Sequence, residues 1–403
     1  MTNAALLKTR GKPIGYLFLS SQHLTNFTKK KMNLSFWEIQ SWFTNVDYVI
    51  AGSGIVGLNA ALELRARQPQ SSILVIEKGS LPEGASTKNA GFACFGSLSE
   101  ILDDLASYPE EKVFSLIEKR WAGLQLLRKN LGDAAIDFKP FGGYELFLGK
   151  DQTLYADCLA RLPLVNDLLR PLFRSDVFSR EHNRFGFEGI HEYLLFNPLE
   201  AQIDTGKMMS ALLNKAYNSG IKILNGHSVS GFHDHGDSVS VSLGDFSFKT
   251  KKLLFATNGF ASKLTNGQVR PARAQVLVTT PIKGLDIKGT FHFQQGYYYF
   301  RNIGERILFG GGRNTDFEIE TTTTNGINQN IQDHLEQLLK DVILPGVEFS
   351  VEHRWSGIMG MGGHKSPIVE KLSQNVSCGV RLGGMGIAIG TLTGQELAQL
   401  CLD

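Results

Sequence analysis

Cysteine is scarce in this 403-residue chain: Cys94, Cys158, Cys378 and Cys401 are widely scattered and form no C-x-x-C pair. That spacing argues against a disulfide framework or a paired-cysteine zinc site, so no metal is expected and a reducing, cytoplasmic setting is the default. An excess of charge of one sign is also missing. The 41 basic residues balance 39 acidic ones, which speaks against nucleic acid or an anionic membrane as partner. Apolar runs are far too short to cross a bilayer, so no transmembrane segment is expected. Repeats and low-complexity tracts are lacking as well.

Acidic residues are absent before Glu38, while Lys8, Arg10, Lys12 and Lys29 to Lys31 are basic. Residues 1–33 therefore read as an N-terminal extension, a disordered tail or the stretch upstream of a start at Met32; a cleaved organelle-targeting segment is the other reading. The fold is expected to begin near Leu34. With 42% hydrophobic residues the chain can bury a large core, and its length suggests two domains.

What is present is concentrated in residues 46–77. Val46 to Ala51 is an apolar run of strand type, Gly52, Gly54 and Gly57 punctuate a turn, and Ile55 to Arg67 reads as a helix. Ile73 to Ile76 is a second buried-strand run ending in Glu77. Together they form a βαβ unit with G-x-G-x-x-G at its first turn and an acid closing its second strand, the pattern of a dinucleotide site. Gly52 allows the tight turn, Gly54 lets the main chain approach a pyrophosphate, and Gly57 lets the helix lie close on the sheet. The helix N–H groups then face the phosphates. Glu77 can accept hydrogen bonds from ribose hydroxyls and would repel a 2′-phosphate.

A small-residue loop, GSLPEGASTKNAGFACFGS, follows, built for close backbone approach. Helical spacing covers 100–130 and 152–173, with a further helix over 206–219. Strand-like alternation dominates Gln275 to Gly312, and GGMGIAIGTLTGQELAQL near the end is a glycine-rich turn entering a helix. The expected fold class is thus α/β plus α+β: a Rossmann-like cofactor domain over 34–100, 195–270 and 350–403, and a mixed or antiparallel-sheet substrate domain over 101–194 and 271–349, each discontinuous in sequence.

Five separated motifs make the chain resemble the FAD-dependent oxidoreductases of the D-amino-acid oxidase superfamily, which includes glycine, sarcosine and γ-glutamylputrescine oxidases. They are AGSGIVGL with Glu77, GASTKNAGF, QIDTGKMMSALL followed by Val229, FATNGF, and RWSG…KSP…GGMGIAIGTLTG. The resemblance implies non-covalent FAD held by Gly52, Gly54, Ile55, Val56 and Gly57, with Glu77 and Lys78 at the adenosine ribose. Ser86, Thr87, Lys88, Asn89, Ala90 and Gly91 would lie along the pyrophosphate, ribityl and flavin side. Val229 would meet the adenine edge, and Thr257, Asn258 and Gly259 would pass beside the nucleotide. Gly384, Met385, Gly386 and Ile387 would offer backbone donors to the flavin pyrimidine.

The implied reaction is oxidation of an amine or amino-acid derivative to an imine, with oxygen or an electron carrier as final acceptor. Arg301, Tyr299 and Met359 are the expected substrate-facing residues, and a buried Arg301 would have to meet an anion. Relatives carry a carboxylate-binding arginine after the W-x-G turn and, in glycine oxidase, another in the last glycine loop; here those places hold the stretch to Met359 and Met385. The lysine that promotes oxygen reaction in sarcosine oxidases is replaced by Leu308. These departures keep open a non-catalytic FAD-binding structural or assembly factor. Arg273 is a further possible anion contact, and Cys94 and Cys378 are the thiols that could approach a flavin.

Overall fold

The structure, a computed structural model, describes residues 32–403; the extension through residue 31 lies outside the described residues. Two eight-stranded sheets organise the chain. In the first, Val46–Ala51 lies between Phe246–Phe255 and Ile73–Ile76, parallel to both. Val376–Val380 and Lys222–Leu224 continue the parallel order outward. Every residue of Ile73–Ile76 and of Val376–Val380 is buried, as expected of parallel strands covered on both faces. An antiparallel ribbon of Gly231–Asp234 and Val239–Leu243 extends from Phe246–Phe255.

The second sheet is mixed. Its order runs Val351–Met361, Arg270–Thr279, Arg306–Gly311, Tyr298–Ile303, Thr290–Phe293, Gly143–Glu145, Tyr193–Asn197, Ser179–His182. Tyr298 and Phe300 turn into an aromatic core with Phe291, Phe293 and Phe309, while the alternate residue Tyr299 faces the other way. The fold is therefore the α/β plus α+β arrangement the sequence suggests.

Sheet membership cuts across the expected domain ranges. Val351–Met361 and Tyr193–Asn197 belong to the second sheet although 350–403 and 195–270 read as cofactor domain, because each strand found its ladder partner there. Conversely, helix Glu110–Leu131 sends Leu116, Leu124 and Leu127 into the core beneath the first sheet. Helical spacing reveals an apolar face but not which core receives it.

Close helix packing depends on glycine. Gly386, Gly390 and Gly394 recur every fourth residue along the Gly386–Leu402 helix. A Cβ on Gly394 would stand 2.6 Å from the Val56 carbonyl oxygen, and one on Gly390 2.8 Å from Ile55 Cγ2. On another side, a Cβ on Gly123 would overlap the Ala388 carbonyl. The last helix is thus clamped against both Ile55–Arg67 and Glu110–Leu131 at backbone distance. Gly394→Val should cost about 1–3 kcal/mol through overpacking, because it displaces the start of the first helix. Denaturant unfolding checks this.

Candidate functional site

A cavity of about 840 Å³ runs between the two sheets. One end is made by the strand-to-helix turn. Gly52 has φ +107°, and a Cβ there would lie 2.7 Å from the Ala256 carbonyl oxygen. A Cβ on Gly54 would meet Ser86 Oγ at 2.8 Å, and that hydroxyl accepts a hydrogen bond from Ile55 N at 3.0 Å. Glu77 is held rigidly below: Oε2 accepts from Ser53 N (3.1 Å) and Ser53 Oγ (2.8 Å), and Oε1 from Gly79 N (3.1 Å). Oε2 is filled by its two donors; Oε1, with Glu83 N only at 3.5 Å, is the more weakly held and is the oxygen a hydroxyl donor could reach.

Two helices start at this cavity, at Ile55 and at Gly386; neither N-cap residue supplies a side-chain cap, and of the first N–H groups that of Ile55 meets Ser86 Oγ. Gly384, with φ +84°, turns the chain into the second of them. The Thr257 hydroxyl also lines the cavity, buried and with no partner among the described residues. Open helix ends, a backbone cradle that side chains would fill and an orphaned hydroxyl fit a dinucleotide.

The other end is a chamber walled by Phe92, Tyr297, Tyr299, Ile358, Met359 and Met385, with Cys94, Glu100, Arg120, His292, Arg313 and Lys365 also on its surface. Burial pushes the Tyr299 phenol up to about 12, so it stays protonated. Burial alone would lower His292, but the Glu200 carboxylate 3.1 Å from Nε2 outweighs it and holds the imidazole up to about 9. Cys94 Sγ, Glu200 and His292 lie within 4.8 Å of one another. Burial keeps the Cys94 thiol well above its ordinary range, and His292 is engaged with Glu200.

Residues 47–400 match the family model described as FAD dependent oxidoreductase (DAO). The chain belongs to this family of FAD-dependent oxidoreductases. A curated relative, the bifunctional protein ThiO/ThiG of Synechocystis sp., is 22% identical over 379 residues, covering 89% of this chain and 52% of the relative. The chain thus spans about half the length of that protein. Among solved structures, glycine oxidase from Geobacillus kaustophilus has a TM-score of 0.70 at 18% identity, with 88% of this chain and 94% of that chain covered. L-Proline dehydrogenase from P. horikoshii gives a TM-score of 0.70 at 17% identity, with 88% and 93% covered.

For an FAD-dependent oxidoreductase, the placement of the expected residues divides clearly. Gly52, Gly54, Ile55, Val56, Glu77, Lys78, Ser86, Lys88 to Gly91, Val229, Thr257, Asn258 and Gly384 to Ile387 all line the cavity, as do Tyr299 and Met359. Val229 does so from the segment before Gly231–Asp234 rather than from a strand. Thr87 turns away, its hydroxyl donating to the Pro82 carbonyl at 2.7 Å. Gly57 and Gly259 are packing positions: a Cβ on the first would overlap the Gly52 carbonyl, and on the second would meet the Met359 carbonyl at 2.5 Å.

Arg301 is the main correction. It does not face the chamber, and no acid meets it. Nε donates to Ala90 O at 2.5 Å, Nη1 to Gln202 Oε1 at 2.8 Å and Nη2 to Ile203 O at 3.0 Å. Burial lowers its affinity for the proton to about 10, and neutral oxygens suffice to hold it. Arg273 is likewise internal, bidentate with Glu320 at 2.8 Å. Trp355 donates to Lys88 O at 2.9 Å and Leu308 packs with Ala90 and Val276. Cys378 lies in the first sheet's core, whereas Cys94 reaches the cavity.

Sequence reasoning missed the Glu200–His292 pair and Arg313. The pair is 92 residues apart with no local signal, while Arg313 could have been noticed at the end of FGGGRN.

Two expectations follow. Arg301→Met should orphan buried acceptors and destabilise the fold by about 3 kcal/mol, with little change in the rate of flavin reduction; unfolding curves and stopped-flow reduction separate the two. For His292, raised from 6.5 to about 9, the stabilisation is full below pH 6.5 and lost as pH rises through 9. Buried Glu145, raised by desolvation to about 7, acts in a lower window. Melting temperatures measured from pH 7 to 10 should therefore fall in the wild type and flatten in Glu200→Gln.

Proposed function

We propose that the protein oxidises a primary or secondary amine, or an amino-acid derivative, to an imine that water hydrolyses, with FAD bound non-covalently. The observation that carries this reading is one continuous cavity: nucleotide-type loops at one end, an aromatic and thioether-walled chamber at the other. FAD, when bound, accepts the hydride that leaves the amine carbon. The chain's own residues orient the substrate and set its protonation. Phe92, Tyr299, Met359 and Met385 offer a poorly solvated wall that disfavours the ammonium form and favours the neutral amine. Tyr299, held as the phenol, can donate a hydrogen bond without carrying charge.

Glycine oxidase and L-proline dehydrogenase among the similar structures support amino-acid-type substrates. Oxygen or a separate carrier would receive the electrons; the apolar surroundings of Leu308 supply no charge to assist oxygen. The four free, buried thiols suit the cytoplasm. No helix among the described residues is long and apolar enough to cross a membrane.

The test is anaerobic mixing of the yellow protein with a panel of amines, N-methylated amino acids and polyamine conjugates. Bleaching of the flavin by at least one of them is expected. A bound flavin that none of them reduces would leave the scaffold reading. Acid precipitation should release the yellow colour into the supernatant; colour retained in the pellet would mean a covalent bond, with Cys94 the thiol on the cavity wall.

A further inference from the structure

The run Phe309-Gly310-Gly311-Gly312-Arg313 is shaped around the chamber's tyrosines. A Cβ on Gly310 would stand 2.6 Å from Tyr299 Cε2, so the ring lies flat on the strand because no side chain is there. A Cβ on Gly311 would overlap the Tyr297 carbonyl. Gly311 and Gly312 take φ +127° and +78°, conformations that turn the chain out of the strand and deliver Arg313 to the cavity wall.

The Arg313 guanidinium meets rings and no acid. Its Cζ is 5.5 Å from the Tyr297 ring centre and 5.0 Å from that of Phe317. Among the described residues it has no ion pair and no hydrogen bond; on the same cavity half-buried Lys88 and exposed Lys263 share that state, while the other cations of the chamber are engaged. His292 is paired with Glu200, Lys365 with Asp104 at 2.6 Å, and Arg120 donates to Phe95 O at 2.9 Å with Glu100 and Asp104 nearby. Burial pushes the Arg313 guanidinium below its ordinary range, and the groups beside it are the phenols of Tyr297 and Tyr299, not a carboxylate. A partly desolvated cation with rings on its faces and an open donor edge lacks one thing, an anion.

We propose that Arg313 binds the carboxylate of the substrate, so that the amine oxidised here carries an acid group anchored by this arginine and not from position 359 or 385. The inference rests on the amine-oxidising reading and narrows it to carboxylate-bearing amines. A single guanidinium fork matches one planar carboxylate through two parallel hydrogen bonds and balances its charge. A dianionic phosphate would be left half neutralised. Tyr297 and Tyr299 hold the alkyl chain of the same substrate against the sheet.

Binding can be read without turnover. FAD-loaded wild type, Arg313→Gln and Arg313→Lys are titrated with acetate, butanoate and hexanoate, and with butanamide as the neutral control, following the shift in flavin absorbance. Calorimetry serves as a second readout. Butanoate and hexanoate should bind about 10- to 100-fold more weakly to Arg313→Gln, Arg313→Lys should lie between, and butanamide should not distinguish the three. Equal binding of the alkanoates by wild type and Arg313→Gln would overturn the proposal. So would a parallel loss of alkanoates and butanamide, or no alkanoate binding by the wild type. Flavin content and melting temperature verify the variants, and Arg313→Lys carries the comparison should Arg313→Gln not fold. Arg313-dependent carboxylate binding without bleaching by any amine would sink the oxidase reading and leave the anion site standing. Bleaching with alkanoates indifferent to Arg313 would do the reverse.

Discussion

Backbone-to-backbone contact at glycine is the constraint on which the rest depends. Gly57 seats the Ile55–Arg67 helix on the Gly52 carbonyl, and Gly394 seats the Gly386–Leu402 helix on the Val56 carbonyl. The two helices therefore begin side by side, one after the strand turn and one after Gly384, and their unsatisfied N–H groups point into one cavity. Any side chain at these contacts would part the helices and misdirect both sets of donors. Sites built from helix ends need this precision, because the dipole and free donors act within about one turn.

The second sheet is fastened to that assembly by buried polar groups as well as by the apolar contact of Val276 and Leu308 with Ala90 and Phe92. Arg301 reaches from Tyr298–Ile303 to the carbonyls of Ala90 and Ile203 and to Gln202, stitching the sheet to the loop that lines the nucleotide end. Beside it, Glu200 accepts from Thr290 and His292, both on the neighbouring strand. Such groups add little net stability when intact but cost much when half-removed, so they fix one relative placement of cavity and sheet. The chamber wall inherits its rigidity from this seam.

How much was legible follows from the range of each interaction. Strands Val46–Ala51 and Ile73–Ile76 and helix Ile55–Arg67 match their reading residue for residue, because turn glycines and period encode them within thirty positions. The sheet membership of Val351–Met361 was not legible: a strand pattern names no partner, and its partner Arg270–Thr279 lies some eighty residues away. Arg301 shows the same limit. Its burial and its place on the tyrosine strand could be foreseen, but strand alternation fixes a face, not which atoms wait there. Three oxygens from two distant segments satisfy it, and none carries a charge.

Arg313 escaped for a different reason: what matters about it is a missing partner, and no pattern of residues displays that. Its sheet position gives it meaning. Met359 pairs with Ala272 on Arg270–Thr279, and that strand pairs on its other side with Arg306–Gly311, the strand leading to Arg313. Two strand spacings, about 10 Å of backbone, separate the strand of Met359 from the strand that presents Arg313. A guanidinium at position 313 leaves the nucleotide end undisturbed, since none of Gly52, Glu77 or Gly384 touches either strand through its ladder. Position 359 carries a thioether, which makes the wall there apolar. A wall that is apolar at one strand and cationic two strands away separates the place where an amine is best deprotonated from the place where an acid is best held. In a chamber holding both groups near one another, the guanidinium would favour the anion while the low dielectric would penalise the neighbouring charge. Here the two demands fall on different strands and do not compete.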